Sequence, residues 1–510
     1  MRGSLVTAAV LLVVTARTSQ CSAKIAWQNP PSPLQAATAV RGVGVRTGPG
    51  SVFDVSKYGA KGDGKTKDTE AIRKAFADCT SAGGGTVLFP ALHHVHHGSN
   101  SRVWNHGDSV DGKNRQHGLF SGAESEAQQQ QQQHYEHEFW APDQPRLRRP
   151  RADSNNTVYL TGAFNISAST VVLVPDGVTI LASTDSEDFP LIQPLPWYGG
   201  GSDYQESGHL IYQPFIHSYF ADNIRITGGG TIDGNGEPWW KCWRGDPKSS
   251  PCKGISRPHM VNLVSGSNVE IDHVNIHNSP SWTLHFSNIT GVHLHNVIVI
   301  NPANAPNADG IDLDCSQQVL VENCQLDVGD DIIAVKSGID WLGRQYGRAS
   351  RDILVRNLQG FHGHGMSIGS EMSAGVHNVT FFNITLDGTA RGVRLKSQRG
   401  RGGEVSNITY HHLRMKNVPA AVSMSLNYHK GLKPTNATAT PKFDGITLID
   451  ITSDKSETAF ELEGLEESHI TGVSLQDVKL SAKHSTGTCE YVEGSCSGST
   501  DPCPSCFHKL

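Results

Sequence analysis

Residues 301–338 read NPANAPNADGIDLDCSQQVLVENCQLDVGDDIIAVKSG, and this stretch decides the fold. Asp309 lies 21 residues before Asp330 and 22 before Asp331, and a short strand-like segment, residues 319–324, runs between them. This spacing is about one coil of a parallel β-helix, where the chain returns above its starting point at a strand separation of about 4.8 Å. The sequence therefore predicts that Asp309 stands beside the Asp330–Asp331 pair.

Three carboxylates in one patch repel one another, so the pKa of at least one of them should rise enough to keep that group protonated. A protonated acid beside an ionised base is what hydrolysis of a glycosidic bond requires. Neighbouring residues of a strand point to opposite faces, but Gly329 indicates a bulge or strand-end turn that brings Asp330 and Asp331 together. The competing interpretation of any single Asp-Gly pair is a simple turn.

A repeat extends this pattern along the chain. Short segments with alternating apolar residues, most often followed by Asn or Asp at the fifth position, recur at intervals of 23 to 38 residues. They begin at Val269, Val292, Val319, Ile353, Val379, Ile408, Ile446 and Val473. A repeat with a nearly constant minimum length and a variable number of extra residues is typical of stacked coils with loop insertions. The Asn and Asp residues are expected at the corners of the coils. A β-sandwich is the alternative, but it would show shorter, more regular hairpins.

Four segments carry a family resemblance. Asn307-Ala308-Asp309-Gly310, Gly329-Asp330-Asp331, Gly363-His364-Gly365 and Arg394-Leu395-Lys396 resemble, in this order, the signature segments of the polygalacturonase family of glycoside hydrolases. The resemblance covers roughly residues 51–90 and 155–480, and it departs from the family at Ala308, where Thr is usual. It implies an all-β, single-domain right-handed parallel β-helix of the pectin-lyase-like type, with an N-terminal capping helix.

The resemblance also implies an inverting hydrolase of α-1,4-galacturonosyl linkages in polygalacturonan or pectin. Asp330 would protonate the leaving oxygen, Asp309 and Asp331 would activate a water, and His364 would orient Asp330. Arg394 and Lys396 would bind a galacturonate carboxylate, because they point the same way from one strand. Tyr428 resembles the tyrosine that lines the sugar subsite, with core packing as its alternative. The resemblance implies no metal and no organic cofactor.

Three alternatives remain open. They are a rhamnogalacturonan-type hydrolase of the same family, a calcium-dependent pectate lyase with an arginine base, and a non-catalytic polysaccharide-binding β-helix. His362 competes with His364 for the histidine role, although only His364 lies between two glycines. Long segments around residues 190–208 and 239–257 would wall a cleft, and residues 367–372 resemble exo-acting members. We therefore expect an exo-acting enzyme.

The remaining sequence predicts the following organisation. Residues 1–23 are typical of a secretory signal peptide, and residues 51–90 are typical of a cap and first coil. Residues 91–154 are typical of a disordered His- and Gln-rich insertion, with metal binding by its histidines as the alternative. The catalytic β-helix spans 155–488, and a Cys-rich tail spans 489–510. A cap signal at Asp68 and Thr69 precedes an apolar helix pattern over residues 70–79, and we expect this helix to close the open end of the solenoid.

The net charge and the length of the apolar segments limit the partners that we expect. The formal net charge of −6 without a basic stripe excludes nucleic acid as a partner, and the apolar run of residues 5–14 is too short to cross a membrane. We expect a secreted monomer.

Ten cysteines occur, of which Cys21 would leave with the signal peptide. In an oxidising compartment we expect disulfides at two groups, with a four-thiolate zinc site as the alternative for the second group, and one thiol left free. These groups are Cys242 with Cys252, and Cys489, Cys496, Cys503 and Cys506.

Overall fold

The computed structural model describes residues 50–92, 156–198, 210–246 and 248–509. Within these ranges, 27 strands join one sheet whose pairings are all parallel, and two short strands form a separate antiparallel pair. The sheet winds into a solenoid, so the predicted parallel β-helix is confirmed. The signal peptide and nearly all of the predicted insertion lie outside the described residues.

The strands, numbered in chain order, are β1 Val52–Asp54, β2 Asp63–Lys67, β3 Gly85–Leu88, β4 Thr157–Thr161, β5 Phe164–Asn165, β6 Thr170–Leu173, β7 Val178–Ala182, β8 Leu191–Ile192, β9 Ile211–Tyr212, β10 Ile216–Tyr219, β11 Ile224–Thr227, β12 Thr231–Asp233, β13 Val261–Asp272, β14 Asn275–His277, β15 Leu284–His295, β16 Ile298–Ile300, β17 Ile311–Asp314, β18 Gln317–Val328, β19 Ile333–Lys336, β20 Ser350–His362, β21 Met366–Ile368, β22 Val376–Asp387, β23 Arg391–Lys396, β24 Glu404–Lys416, β25 Ala420–Ser425, β26 Lys442–Glu463, β27 Ile470–Glu490, β28 Val492–Ser497 and β29 His508–Lys509. The α-helices are α1 Thr69–Ser81, α2 Glu237–Arg244 and α3 Asp340–Tyr346, and two 3-10 helices span Val55–Tyr58 and Ser186–Asp188.

Three ladders of paired strands form the three sides of the solenoid. The first ladder runs through β5, β10, the starts of β13 and β15, then β17, β19, β21, β23, β25 and the ends of β26 and β27. The second runs from β1, β3, β6 and β11 through β13, β15, β18, β20, β22, β24, β26 and β27 to β28 and β29. The third runs from β2, β4, β7, β12, β14 and β16 into the later parts of β18, β20, β22, β24, β26 and β27.

The sequence repeat is the second ladder. Its first positions pair one above another without a break from β13 to β26: Val269, Val292, Val319, Ile353, Val379, Ile408 and Ile446. All seven side chains are buried in the core between the ladders. Removing an apolar side chain from water stabilises the folded state by about 1.5–3 kcal/mol, so each coil gains from stacking on the next.

Asparagines occupy the corners between ladders, as the repeat predicts. Asn323, Asn357 and Asn383 all have a left-handed backbone, which Asn tolerates better than most residues. Their side chains bond in a column: Asn357 Nδ2 donates to Asn323 Oδ1 at 3.2 Å, and Asn383 Nδ2 donates to Asn357 Oδ1 at 2.8 Å. The corner asparagines therefore link successive coils through their side chains.

Helix α1 packs its apolar face on the first coil, with Ile72, Phe76 and Cys79 buried, and so covers the solenoid end as expected. The cap signal marks the start of α1 correctly, but the Asp68 side chain does not cap the helix. Asp68 precedes α1 but makes no side-chain cap; its carboxylate accepts from the backbone N–H groups of Lys61 and Gly62 at 2.7 and 3.0 Å. The turn before β2 supplies these donors, and they compete successfully with the helix N-terminus.

Disulfides form at both predicted groups, which confirms the preference over zinc in the C-terminal tail. Cys242 pairs with Cys252, Cys489 with Cys506, and Cys496 with Cys503. The tail continues the second ladder through β28 and β29. The prediction of one free thiol is wrong, because three thiols stay unpaired in the described chain. These buried thiols are Cys79, Cys315 and Cys324, which pack as small apolar residues.

The described chain before residue 93 meets the described chain after residue 155. The backbone N–H of Leu92 donates to Thr157 Oγ1 at 2.7 Å, so the chain leaves and re-enters the solenoid at one point. In the described parts of the chain, no helix has the length and apolar character needed to cross a membrane.

Candidate active site

The candidate site lies on the outer face of the first ladder. Ala334 on β19, Ser367 on β21 and Arg394 on β23 are register partners, so their side chains form a row across successive coils. Lys396 follows two residues after Arg394 on the same face. Asp330, Asp331 and His364 come from the turns that lead into β19 and β21, and Asp309 comes from the turn before β17.

The turn at Gly329 is what brings the two adjacent aspartates to the site. Residues 329–332 separate β18 from β19, so Asp330 and Asp331 are free of strand alternation, as the sequence predicts. A Cβ atom at Gly329 would collide with the carbonyl oxygen of Ala305, so this close approach requires glycine. The N–H of Gly310 donates to the Asp331 carbonyl at 2.8 Å, which places Asp309 one coil from the pair.

Asp331 is the buried anchor of the site. Its Oδ1 accepts from Ser367 Oγ and Arg394 Nη1, both at 2.8 Å, and its Oδ2 accepts from Lys396 Nζ at 2.7 Å. Burial alone would raise the pKa of Asp331, but the charges of Lys396 and Arg394 outweigh burial and hold its pKa below the usual range. Asp331 is therefore ionised. Together, Asp331, Arg394 and Lys396 form a cluster with one net positive charge.

Asp330 is the accessible carboxyl. Its side chain is 21% exposed, against 1% for Asp331. Its Oδ1 accepts from the Asp331 N–H at 2.9 Å and lies 2.8 Å from His364 Nδ1, whereas neither of these bonds uses Oδ2. The competing His362 bonds Asp327 instead, at 2.6 Å, so the structure places His364 and not His362 beside Asp330.

Asp309 belongs to a buried acidic group behind this pair. Its Oδ1 has no hydrogen-bond partner among the described residues, and the same is true of both carboxylate oxygens of Asp312. Burial, and then repulsion from Asp312 and Asp330, raise the pKa of Asp309 well above its ordinary value. This agrees with the expectation that crowded carboxylates hold a proton. Lys336 Nζ lies 3.6 Å from Asp312 and bonds Glu371 at 2.9 Å.

Asp312, Lys336 and Glu371 were missed by reasoning from the sequence alone. A signal existed for the first two. Asp312 alternates with inward Ile311 and Leu313 on β17, and Lys336 is the register partner of Asp314 on the next coil. Two charged residues on outer positions of adjacent catalytic strands indicate a buried ion pair once a loop covers that face.

Tyr428 lies at the edge of the cationic cluster. Its ring centre is 5.7 Å from the Arg394 guanidinium carbon and 5.5 Å from Lys396 Nζ. The tyrosine is 38% exposed, so it is not a core residue, and its ring is open to a ligand that binds over the two cations.

A wall stands on the N-terminal side of Asp309. We use this name for residues 191–198, which include β8, and for residues 251–259, which precede β13. Arg257 donates to the carbonyl oxygen of Pro306 at 2.5 Å and to Asn307 Oδ1 at 2.7 Å, two residues before Asp309. His259 stacks on Trp282 with ring centres 4.8 Å apart. A pocket that opens to solvent lies between the wall and the first ladder, lined among others by Leu195, Tyr198, His259, Trp282 and His285.

Asp330, Asp331 and His364 also offer ligand atoms within 4.8 Å of one another, which is close enough for a metal ion. The cations Arg394 and Lys396 already bind both oxygens of Asp331, so electrostatics oppose a metal at this position. The arrangement suits proton transfer next to a site for an anionic ligand.

Comparisons with known proteins agree with this geometry. The model of glycosyl hydrolases family 28 matches residues 201–500. The chain is 32% identical to a probable polygalacturonase of Vitis vinifera over 356 residues, which cover 68% of this chain and 70% of that protein. It is 29% identical to an endo-polygalacturonase of Pectobacterium carotovorum subsp. carotovorum, covering 64% of this chain and 79% of the relative.

Solved structures share the fold. An exopolygalacturonase from Thermotoga maritima superposes with a TM-score of 0.68 at 22% identity, over 94% of this chain and 96% of that one. A polygalacturonase from Erwinia carotovora ssp. carotovora superposes with a TM-score of 0.62 at 24% identity, over 88% and 98% of the two chains. These likenesses identify the solenoid as the right-handed parallel β-helix.

Proposed function

Because the chain belongs to glycosyl hydrolases family 28, we propose that it hydrolyses the α-1,4-galacturonosyl linkages of polygalacturonan and acts from a chain end. Its relatives in plants and bacteria carry the names polygalacturonase and endo-polygalacturonase. One observation carries the proposal: an accessible acid, Asp330, stands next to a cluster in which Arg394 and Lys396 exceed the charge of Asp331.

The surplus positive charge selects an anionic sugar. Asp331 neutralises one of the two cations, and Arg394 keeps further N–H donors beyond the one given to Asp331. Charge-assisted hydrogen bonds from guanidinium and ammonium groups bind carboxylates about twice as strongly as neutral donors do. A galacturonate carboxylate over Arg394 and Lys396 would also lie against the exposed ring of Tyr428, which supports a role of all three in substrate binding.

Asp330 serves as the general acid in this proposal. It is the carboxyl that a glycosidic oxygen can reach, and Oδ2 is the oxygen left to carry the proton because Oδ1 takes the two hydrogen bonds. His364 lies 2.8 Å away and is 35% exposed, so it can both orient Asp330 and pass a proton to it from solvent.

Asp309 and Asp331 activate the water on the opposite side of the sugar, which gives inversion. The raised pKa of Asp309 makes it a better proton acceptor once it is ionised, and its buried Oδ1 has no hydrogen-bond partner among the described residues. Asp331 Oδ2 accepts from Lys396, and a carboxylate oxygen accepts two hydrogen bonds, so it can orient the same water. Proton nuclear magnetic resonance of the first product tests inversion, because the anomer released initially must be β.

The wall supports action at a chain end. An endo enzyme needs a cleft open at both ends, whereas residues 251–259 close against Pro306 and Asn307 beside Asp309. The adjoining pocket opens to solvent and is lined by His259, Trp282 and His285. We propose that a terminal galacturonate enters this pocket.

The test is incubation of the purified chain with polygalacturonate, with products separated by size over time. An exo enzyme releases mono- or digalacturonate from the first minutes while viscosity stays high; an early fall in viscosity with mid-sized oligomers would contradict exo action. A parallel incubation with rhamnogalacturonan tests the related hydrolase. Unsaturated products that depend on calcium would show a lyase, and binding without new reducing ends would refute catalysis.

We also propose that the enzyme acts outside the cell. Three disulfides in the described chain suit an oxidising compartment, and its proposed substrate is a polymer. Residues 1–23 would direct export.

A further inference from the structure

A second cluster of chemically active side chains lies on the second ladder, on another side of the solenoid from the candidate active site. It comprises Glu270 on β13, His293 and His295 on β15, and Glu322 on β18. The register pairs Glu270 with His293, and His295 with Glu322, so the four residues come from three successive coils. We call this group the histidine cluster.

The two histidines are held on one face by the strand period. His293 and His295 alternate with the buried Val292 and Leu294, so both imidazoles point outward, with ring centres 4.2 Å apart. Their side chains and those of the two glutamates are only 15–25% exposed. Four chemically active groups are thus positioned on a rigid sheet surface, which is the support that a binding site requires.

The distances fit a small metal ion. One ligand atom each from Glu270, His293 and His295 lies within 4.8 Å of the other two. Zinc bonds to imidazole and carboxylate of about 2.0–2.2 Å imply tetrahedral ligand separations of about 3.3–3.6 Å. His295 Nε2 and Glu270 Oε1 are 3.3 Å apart, so this pair already has the separation that a shared zinc ion imposes.

We propose that the histidine cluster binds one divalent transition-metal ion of the zinc type, with Glu270, His293 and His295 as ligands. Glu322 Oε1, at 2.9 Å from His293 Nε2, supplies the fourth ligand or holds a bound water. Two imidazoles with one or two carboxylates are a donor set that zinc and its neighbours in the first transition series prefer over magnesium or calcium.

Arginines lie beside both glutamates of the cluster, and Arg225 Nη2 is 3.8 Å from Glu270 Oε1. Arg356 holds Glu322 through Oε2 at 2.6 and 2.8 Å, so Oε1 remains directed to the histidines. Asn296 Nδ2 lies 3.1 Å from His295 Nδ1, and reversal of this amide presents its oxygen to an Nδ1–H. That second bond would leave Nε2 free to bind metal, as outer-shell partners of metal-bound histidines usually do.

The ion would join three coils. Glu270, the histidines and Glu322 belong to consecutive strands of the second ladder, so their shared ligand would hold β13, β15 and β18 together without touching the catalytic groups. The expected effect is on resistance to unfolding, because a ligand that binds only the folded chain shifts the unfolding equilibrium.

Titration with zinc chloride, followed by equilibrium dialysis and metal analysis of the full chain, tests the proposal. Eight histidines in residues 93–155 can also take up zinc, so the measured quantity is the difference between wild type and variants. The wild type should bind one more zinc ion per chain than the His293→Gln/His295→Gln double variant. Glu270→Gln should bind this ion at least about tenfold more weakly. This single variant replaces the double variant in the comparison if the double variant does not fold.

His469→Gln is the matched control, because it breaks an exposed His–Glu pair of the same 2.9 Å length that has no second histidine. Zinc should raise the unfolding midpoint of the wild type and of this control, but not of the double variant. Equal zinc stoichiometry in wild type and double variant would overturn the proposal. Loss of the strongest zinc ion in His364→Gln, with retention in the double variant, would place it at the active site and overturn the proposal as well. The double variant should still hydrolyse polygalacturonate as the wild type does, because the histidine cluster does not touch the catalytic groups. The zinc proposal and the proposed function can therefore fail independently of each other.

Discussion

Replacement of Asp330 by Asn removes the proton from the proposed acid and leaves its shape. The amide oxygen can still accept the bonds from the Asp331 N–H and from His364 that the carboxylate Oδ1 accepts now. The side chain is partly exposed and forms no ion pair with Arg or Lys among the described residues, so the substitution should change the free energy of unfolding little. A carboxamide cannot donate a useful proton to the leaving oxygen.

The magnitude follows from this single missing step. General acid catalysis contributes typically about 10²–10⁴-fold, which corresponds to about 2.7–5.5 kcal/mol of transition-state stabilisation. We therefore expect kcat on polygalacturonate to fall by about 10²–10⁴-fold, with polymer binding nearly unchanged, because Arg394, Lys396 and Tyr428 stay in place. Reducing ends released over time measure kcat, and calorimetric titration with an oligogalacturonate measures binding.

Asp327→Asn is the control for this variant. Asp327 is 28% exposed and bonds His362 at 2.6 Å, so it matches the Asp330–His364 pair in chemistry and exposure but lies outside the cluster of Arg394. Its variant should keep wild-type turnover. Retention of more than about a tenth of wild-type kcat by Asp330→Asn would refute the assignment of the acid, since the loss would be smaller than general acid catalysis supplies.

Three further predictions concern stability, pH and chain length. Lys396→Met leaves buried Asp331 with one cation fewer, so unfolding in urea should show a loss of about 3–5 kcal/mol, against less than about 1 kcal/mol for the surface-pair control Lys483→Met; equal losses would contradict it. Asp309 must be ionised to act as base and its pKa is raised partly by Asp312, so activity rises as pH passes upward through that pKa. Asp312→Asn should move the acid limb of the kcat/KM profile to lower pH, and an unmoved limb would count against Asp309 as base. Replacing residues 93–155 by a short Gly-Ser linker should keep Tm within a few degrees in calorimetry, because the described residues on either side of the segment already meet; a variant that does not fold would disprove this.

The solenoid could be predicted because its signal repeats. Alternating apolar positions such as Val319 and Val379 recur often enough to define a coil, and each coil stacks on the next by the same physics. The juxtaposition of Asp309 with Asp330 and Asp331 follows from that coil length alone. The turn at Gly329 could also be read from local chemistry.

Longer-range contacts could not be predicted in the same way. Arg394 reaches Asp331 across 63 residues, and its partner depends on how many loop residues two coils contain. Arg257 bonds Asn307 because the segment that precedes β13 folds over the first ladder, which no periodicity encodes. Asp68 shows the local limit: its cap signal was sound, but two backbone donors in space proved better partners.

In the first ladder, the positions of the side chains do not depend on the lengths of the loops between the coils. Ala334, Ser367 and Arg394 are aligned by strand register, and the turns that carry Asp330 and His364 lead into these strands, while the loops that join the coils differ in length. A loop can therefore gain or lose residues without moving the acid relative to the cations, whereas one residue inserted within β21 would turn Ser367 from the outer face into the core. Substrate range in such a solenoid can diverge, or be engineered, by exchanging loops such as residues 251–259 while every catalytic strand keeps its sequence.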